Sequence, residues 1–136
     1  MPHFIDTNVL LYSISSHPAE AAKRDRAIEI IDRDDGTLSV QVLQEFYAQA
    51  TRATRSDPLP HALAASLIAT WRRFRIQEIT LSILDAALSI RQAHGLPYWD
   101  SAIIAAARAL GCRELFSEDM AHGREIEGVR IVNPFR

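Results

Sequence analysis

Apolar residues come in short blocks along the chain, separated by polar and turn-forming residues. Phe4-Ile5 forms one such block and Val9-Leu10-Leu11-Tyr12 the next, with Asp6, Thr7 and Asn8 wedged between them. The first block reads as a buried strand, His3–Ile5, and the second as the body of a helix beginning at about Thr7. A second helix is expected over about Pro18–Asp32, where Ala22, Ala27, Ile28, Ile30 and Ile31 supply apolar positions. The turn Asp34-Asp35-Gly36 leads into a strand, Thr37–Val40, and a helix follows from about Gln41 to Ala53. Asp57-Pro58-Leu59-Pro60 breaks the chain. Beyond it come a helix at about His61–Phe74, a strand at Ile76–Ile79, and a helix from about Ser82 to Ala93 that stops at His94-Gly95. Pro97 suits a first helical position and opens a helix ending near Gly111. Strands at Glu114–Phe116 and Val129–Val132 complete the series.

Short strands alternating with helices predict an α/β domain with a mostly parallel sheet. At 136 residues, without repeats or linker-like stretches, the chain is expected to be one domain, 1–136. A hydrophobic content of 48% and a mean hydropathy of −0.05 exclude a disordered chain. No apolar run approaches the roughly 20 residues of a membrane helix, and the N-terminus lacks a signal peptide's basic region and cleavage site. The single cysteine, Cys112, permits no internal disulfide and suits a reducing cytoplasm. With no Cys or His partner at zinc-ligand spacing, Cys112 is expected to pack as a small apolar residue. The five histidines are scattered, and His122 is expected in a surface loop. Trp71 and Trp99 are read as packing residues rather than base-stacking platforms.

Four acids sit where an acid is unexpected. Asp6 interrupts an apolar run directly after a strand, where Asp6 or Thr7 could cap the next helix. Asp100 heads a helical stripe of Ile103, Ala107 and Leu110. A first-turn acid gains under about 1 kcal/mol from the helix dipole, less than desolvating an unpaired carboxylate costs. Glu45, with Gln41, Val42, Ala48 and Gln49 as helical neighbours, reads on its own as a solvated flank residue. Asp119 follows a strand in LFSEDM and reads on its own as a loop residue. In open parallel sheets ligands bind beyond the carboxyl ends of the strands, where Asp6 and Ser117, Glu118 and Asp119 are expected.

FIDTNVLLY, VLQEFY, YWDSAIIAAA and LFSEDM, in that order, resemble the four acidic motifs of the PIN-domain nucleases. The length resembles that of the compact VapC-like toxins of type II toxin–antitoxin pairs, and the likeness covers essentially the whole chain. It implies a three-layer α/β/α fold around a mostly parallel sheet. Carried over residue by residue, it places the catalytic, metal-binding acids on Asp6, Glu45, Asp100 and Asp119. Thr7, Asn8 and Ser117 fall where neighbouring hydrogen bonds would orient those acids. Hard oxygen ligands suit Mg²⁺ or Mn²⁺, acting singly or as a pair about 3.5–4 Å apart. Glu45 would bind through water or orient the attacking water. The resemblance further implies an endoribonuclease leaving a 5′-phosphate and a 3′-hydroxyl, a homodimer, and a small VapB-like antitoxin as partner. The apolar helices flanking Pro58 and Pro60 offer a surface for that dimer, or equally close the domain's own core.

The net charge of −2 does not speak for nucleic acid, yet without the four acids the chain has 15 basic against 13 acidic residues. Arg52, Arg55, Arg72, Arg73, Arg75 and Arg124 are candidates for an RNA-backbone surface. Other chemistries fit less well. A receiver domain needs a lysine across the sheet, and the sole lysine, Lys23, lies in an early helix. A haloacid-dehalogenase-type phosphatase requires D-x-D where Asn8 stands. No glycine-rich loop precedes Lys23 and no nucleophile elbow surrounds a serine. The remaining alternative is a catalytically silent PIN-like module that binds nucleic acid.

Overall fold

A computed structural model describes all residues, Met1–Arg136. Its elements are β1 (His3–Ile5), α1 (Thr7–Ser13), a 3₁₀ turn (Pro18–Glu20), α2 (Ala21–Asp32), β2 (Gly36–Ser39), α3 (Val40–Ala50), α4 (His61–Trp71) and β3 (Arg75–Gln77). There follow α5 (Leu81–His94), α6 (Tyr98–Ala109), β4 (Glu114–Phe116), β5 (Glu125–Ile126) and β6 (Val129–Val132). No helix is long and apolar enough to cross a membrane.

The six strands form one sheet in the order β3-β2-β1-β4-β6-β5, parallel except for the β5–β6 pair. From β1 the chain steps through β2 to β3 in one direction, then returns past β1 to add β4 on its other side. Right-handed crossovers therefore place α1–α4 on one face and α5–α6 on the other, a three-layer α/β/α arrangement. The reversal also makes the β1/β4 boundary the switch point, where the connections leave in opposite directions and open a crevice at the carboxyl ends. The ladder holds that boundary in register, with Phe4 opposite Leu115 and Ile5 opposite Phe116. Asp6 N–H extends it by donating to Phe116 O at 3.0 Å, and Ser117 N–H donates to Val132 O at 3.0 Å.

The core runs through both faces of the sheet, with Phe4, Leu10, Ile30, Leu38, Phe46, Ile104 and Leu115 fully buried. Trp71 closes it beside α3, edge-on to Phe46 with ring centroids 4.7 Å apart. α6 is buried from Ser101 to Ala107, since its small residues let it lie close along β2, β3, β4 and β6 while α5 packs outside it. Polar caps set the helix starts: Ser39 Oγ accepts from Val42 N–H at 3.2 Å and Thr80 Oγ1 from Ile83 N–H at 3.1 Å. Gly95 ends α5 at φ 68°, a left-handed C-cap that glycine adopts without steric cost.

Most elements stand within a few residues of expectation. Pro97 is the residue before α6 rather than its first helical position. The Pro18 segment begins as a separate 3₁₀ turn before α2. The hairpin strand β5 was not foreseen: it is two residues long, and its turn is Glu127-Gly128, both at positive φ. Such two-residue turns are usually signalled by Asn-Gly or Asp-Gly. Cys112 is buried as expected, its Sγ 3.2 Å from Thr37 Oγ1. Trp99 departs from expectation. It is 66% exposed, between the polar cleft and an apolar groove that it lines with Ile79, Leu81 and Leu84.

Candidate active site

Asp6, Glu45, Asp100 and Asp119 line a single small cavity of about 100 Å³ at the switch point. Each arrives from a different element: the end of β1, the middle of α3, the first turn of α6, and the loop after β4. The other wall residues include Thr7, Asn8, Gln41 and Gln49, and no Lys, Arg or His is among them. Four carboxylates thus share a cavity whose walls offer no compensating cation.

Asp6 is almost completely buried and tightly held. Its Oδ1 accepts from Thr7 N–H at 2.7 Å, so it does cap α1, and its Oδ2 accepts from Ser117 Oγ at 2.8 Å. Asn8 Nδ2 donates to Asp119 Oδ2 at 3.1 Å and, at 3.4 Å, to Asp6 Oδ2 and Ser117 Oγ. Ser117, fully buried, also accepts from Asp119 N–H at 3.2 Å. Thr7 Oγ1 donates to Glu45 Oε1 at 3.3 Å, and Gln41 Nε2 reaches the same oxygen at 3.3 Å. Thr7, Asn8 and Ser117 therefore all contact the acids they were expected to orient.

Burial is the main influence on these carboxyls. It pushes Asp6 up to about 6, against the hydrogen bonds from Ser117 and Thr7, with Glu45 and Asp119 adding repulsion. Glu45 is raised by burial, then lowered in part by Gln41 and Thr7 and raised by Asp100 and Asp119. Asp100 is raised by burial and by Asp119, with no hydrogen bond to counter either. Glu45 is half-buried inside the cavity wall, so the solvated flank read from its helical neighbours gives way. Its partners Thr7 and Asp100 lie far off in sequence and are invisible to a local pattern.

The donor set fits a hard divalent cation: four oxygen acids, three of them raised mainly by burial, in a cavity without basic side chains. As the side chains stand, no three acids are drawn together as a closed ligand cluster. Asn8 instead spaces Asp6 from Asp119, and repulsion opposes closer approach.

A group beside the cavity was not singled out from sequence. Glu118 accepts from Tyr12 Oη at 2.5 Å and from Lys23 Nζ at 2.6 Å, while its N–H donates to Asn8 Oδ1 at 3.2 Å. Lys23 also lies 4.9 Å over the Tyr12 ring. For Glu118, the place between Ser117 and Asp119 is the signal the sequence offers. His122 lies outside the site, exposed, with Nδ1 accepting from Asn133 N–H at 2.9 Å.

Solved structures share this fold. A toxin–antitoxin complex from Klebsiella pneumoniae matches with a TM-score of 0.72 at 19% identity, covering 97% of either chain. VapC20 of Mycobacterium tuberculosis, described as a sarcin–ricin-loop-cleaving toxin, matches at 0.66 and 20% identity over 86% of this chain and 91% of its own. VapBC2 of Rickettsia felis, bound to a promoter DNA fragment, matches at 0.67 and 16% identity over 96% and 97%. A search of the curated proteins gives no match. The PIN domain family matches residues 3–124, a span that takes in all four acids and the elements that carry them. The chain belongs to the PIN domain family.

Proposed function

We propose that the chain is a metal-dependent endoribonuclease, the toxin of a type II toxin–antitoxin pair, with residues 1–136 acting as one domain. The observation that carries this reading is the cavity itself, four carboxylates at a switch-point crevice with no cation on its walls. The RNA-cleaving description of VapC20 supports RNA as substrate. The antitoxin complexes among the structural relatives support a small antitoxin partner.

Asp6, Asp100 and Asp119 would hold Mg²⁺ or Mn²⁺, with Glu45 beside them directly or through water. The ion would supply Lewis-acid polarisation of a phosphoryl oxygen and favour ionisation of a nearby water. The chain's own part is positioning. Ser117 and Thr7 fix the Asp6 carboxylate, and Asn8 sets Asp119 against it. Glu45, raised by burial and steadied by Thr7 and Gln41, is placed to orient the attacking water and take its proton. The water oxygen bonds to phosphorus, the P–O3′ bond breaks, and protonation of the leaving oxygen gives a 3′-hydroxyl and a 5′-phosphate.

A homodimer completes the reading. Around the helices flanking Pro58 and Pro60, Leu63 is the only large apolar side chain that is exposed. The larger exposed apolar surface comprises Ile79, Leu81, Leu84, Leu88 and Trp99, on and beside α5, and is the better candidate for burial between copies.

The test is cleavage of total RNA by purified protein. Activity is expected with Mg²⁺ or Mn²⁺ and is expected to vanish in EDTA and in Asp6→Asn and Asp100→Asn. Undiminished cleavage in EDTA overturns the metal mechanism. RNA binding without cleavage under any divalent ion replaces it with the silent binding module.

A further inference from the structure

We propose that Arg55 is a positioning residue that binds a backbone phosphate of the RNA strand next to the one being cut; the proposal rests on the nuclease reading above. A second polar cavity, of about 290 Å³, adjoins the acidic one and shares Asn8, Leu11, Gln49 and Asp119 with it. A strand crossing the acids has this cavity as its continuation. Arg55 is the one basic residue on its wall.

Two of the three acids on that wall are engaged elsewhere. Glu118 is paired with Lys23 at 2.6 Å and with Tyr12, and Glu20 accepts from Ser15 Oγ at 2.6 Å. Arg55 takes part in none of the chain's ion pairs. Its backbone is fixed, since Arg55 N–H donates to Arg52 O at 3.0 Å in the turn after α3. A guanidinium with its planar fork of donors free, on the wall of a polar cavity, suits the non-bridging oxygens of a phosphodiester.

The other arginines raised as backbone contacts are placed differently, and Arg52 lines neither polar cavity. Arg73 donates to Ile31 O, Arg75 to Leu110 O and Arg124 to His94 O, so these three are spent on carbonyls of the chain. Arg72 lines a separate, largely apolar cavity between α3 and α4. The structural role open to Arg55 is to offset Asp119 and Glu20, and that role predicts no salt-dependent loss of RNA affinity.

The experiment measures the dissociation constant of a mixed-sequence single-stranded RNA oligonucleotide against salt concentration, in the cleavage-silent Asp100→Asn background. Adding Arg55→Gln is expected to weaken binding roughly tenfold, as for loss of one charge-assisted contact. It should also reduce the slope of log affinity on log salt by about 0.7, the value for one phosphate on a single strand. Arg55→Lys, which keeps the charge, should retain most of that slope, and Arg113→Gln at the opposite end of the sheet should match the parent. In the active background, Arg55→Gln should raise KM with kcat little changed.

Equal slopes and affinities for parent and Arg55→Gln overturn the proposal. So does a loss shared in full by Arg55→Lys together with a lowered melting temperature, which marks a structural role. RNA cleavage by the parent that is indifferent to Arg55→Gln overturns the Arg55 contact alone. A salt slope that depends on Arg55 in a parent that cuts no RNA overturns the nuclease reading and leaves the contact standing.

Discussion

Asn8 donates from one side-chain amide to Asp119 at 3.1 Å and to Asp6 at 3.4 Å, tying together two acids whose elements are sequence-distant but adjacent in the sheet. Two carboxylates repel at this range, and a neutral donor between them offsets part of that repulsion.

Asn8→Ala should lower RNA cleavage by about 10–100-fold, the usual effect of losing a residue that orients metal ligands. Stability should fall by only about 1 kcal/mol, as expected for a part-exposed hydrogen bond. Asn8→Asp replaces the donor with a fifth carboxylate and should be less stable still in EDTA and slower still with Mg²⁺. Single-turnover rates and melting curves of the two variants check this, and a parental rate for Asn8→Ala would show that the bridge orients nothing that matters.

Ser117 offers a sharper test of the same shell. Its hydroxyl is buried, donates to Asp6 and accepts from Asp119 N–H, so Ser117→Ala leaves Asp6 short of its 2.8 Å donor. The Asp6 carboxyl should rise further above its already elevated value, because that hydrogen bond is the larger of the two that lower it. Weaker binding of Mg²⁺ by about 10–100-fold is expected. Titrating the melting temperature with Mg²⁺ reads this directly, and Ser117→Thr, which keeps the hydroxyl, should stay close to the parent.

The order of strands and helices was legible in the sequence because each element is short and bounded by a turn signal, as at Asp34-Asp35-Gly36 and His94-Gly95. The acids were legible for a different reason: Asp6 breaks an apolar run, although a cap alone would account for it, and Asp100 heads an apolar stripe where the helix dipole repays too little of its desolvation. Glu45 and Asp119 break no pattern, and only their place in an ordered set of motifs drew attention to them. The Glu118–Lys23–Tyr12 group stayed hidden because its members are 95 and 106 residues apart and each looks ordinary locally. The exposure of Trp99 was hidden too, since an aromatic in an apolar helix reads as core until the position of the cleft is known.

His3 predicts a pH dependence away from the acids. It is fully enclosed at the opposite end of β1, with its ring 4.8 Å from Phe116 and Nδ1 3.3 Å from Asp35 Oδ1. Burial lowers its pKa from 6.5, Asp35 and Glu114 pull it upward, and Arg33 pushes it down. A histidine with a lowered folded pKa takes up its proton more readily when unfolded. Its contribution is therefore complete above about 6.5 and is lost as pH falls toward the folded value. Between pH 7.5 and 5 this loss opposes the gain from the raised Asp6, so in denaturant unfolding His3→Asn, although less stable overall, should gain more on acidification than the parent. Parallel profiles for the two proteins would place the dependence elsewhere.

Asp100 separates a catalytic acid from a helix cap. Its carboxyl receives no hydrogen bond, and burial and Asp119 both raise its pKa. A raised carboxyl gives relative stability below the unfolded value of about 4, and that contribution is lost as pH rises through the folded value. At neutral pH the ion-free fold therefore carries charge it would be better without. Asp6 adds to this, since a rise from 3.8 to about 6 costs about 3 kcal/mol at neutral pH. Asp100→Asn removes one of the repelling charges, so at neutral pH in EDTA it should be at least as stable as the parent. Saturating Mg²⁺ should reverse the order, because an ion that binds only the folded site adds about 2.7 kcal/mol at 100 times its dissociation constant. Asp100→Asn, with a ligand gone, should gain much less and should cut no RNA. Thermal unfolding of both proteins, with EDTA and with Mg²⁺, decides the matter: a parent indifferent to the ion and an Asn variant clearly weaker in EDTA would make Asp100 a structural cap on α6.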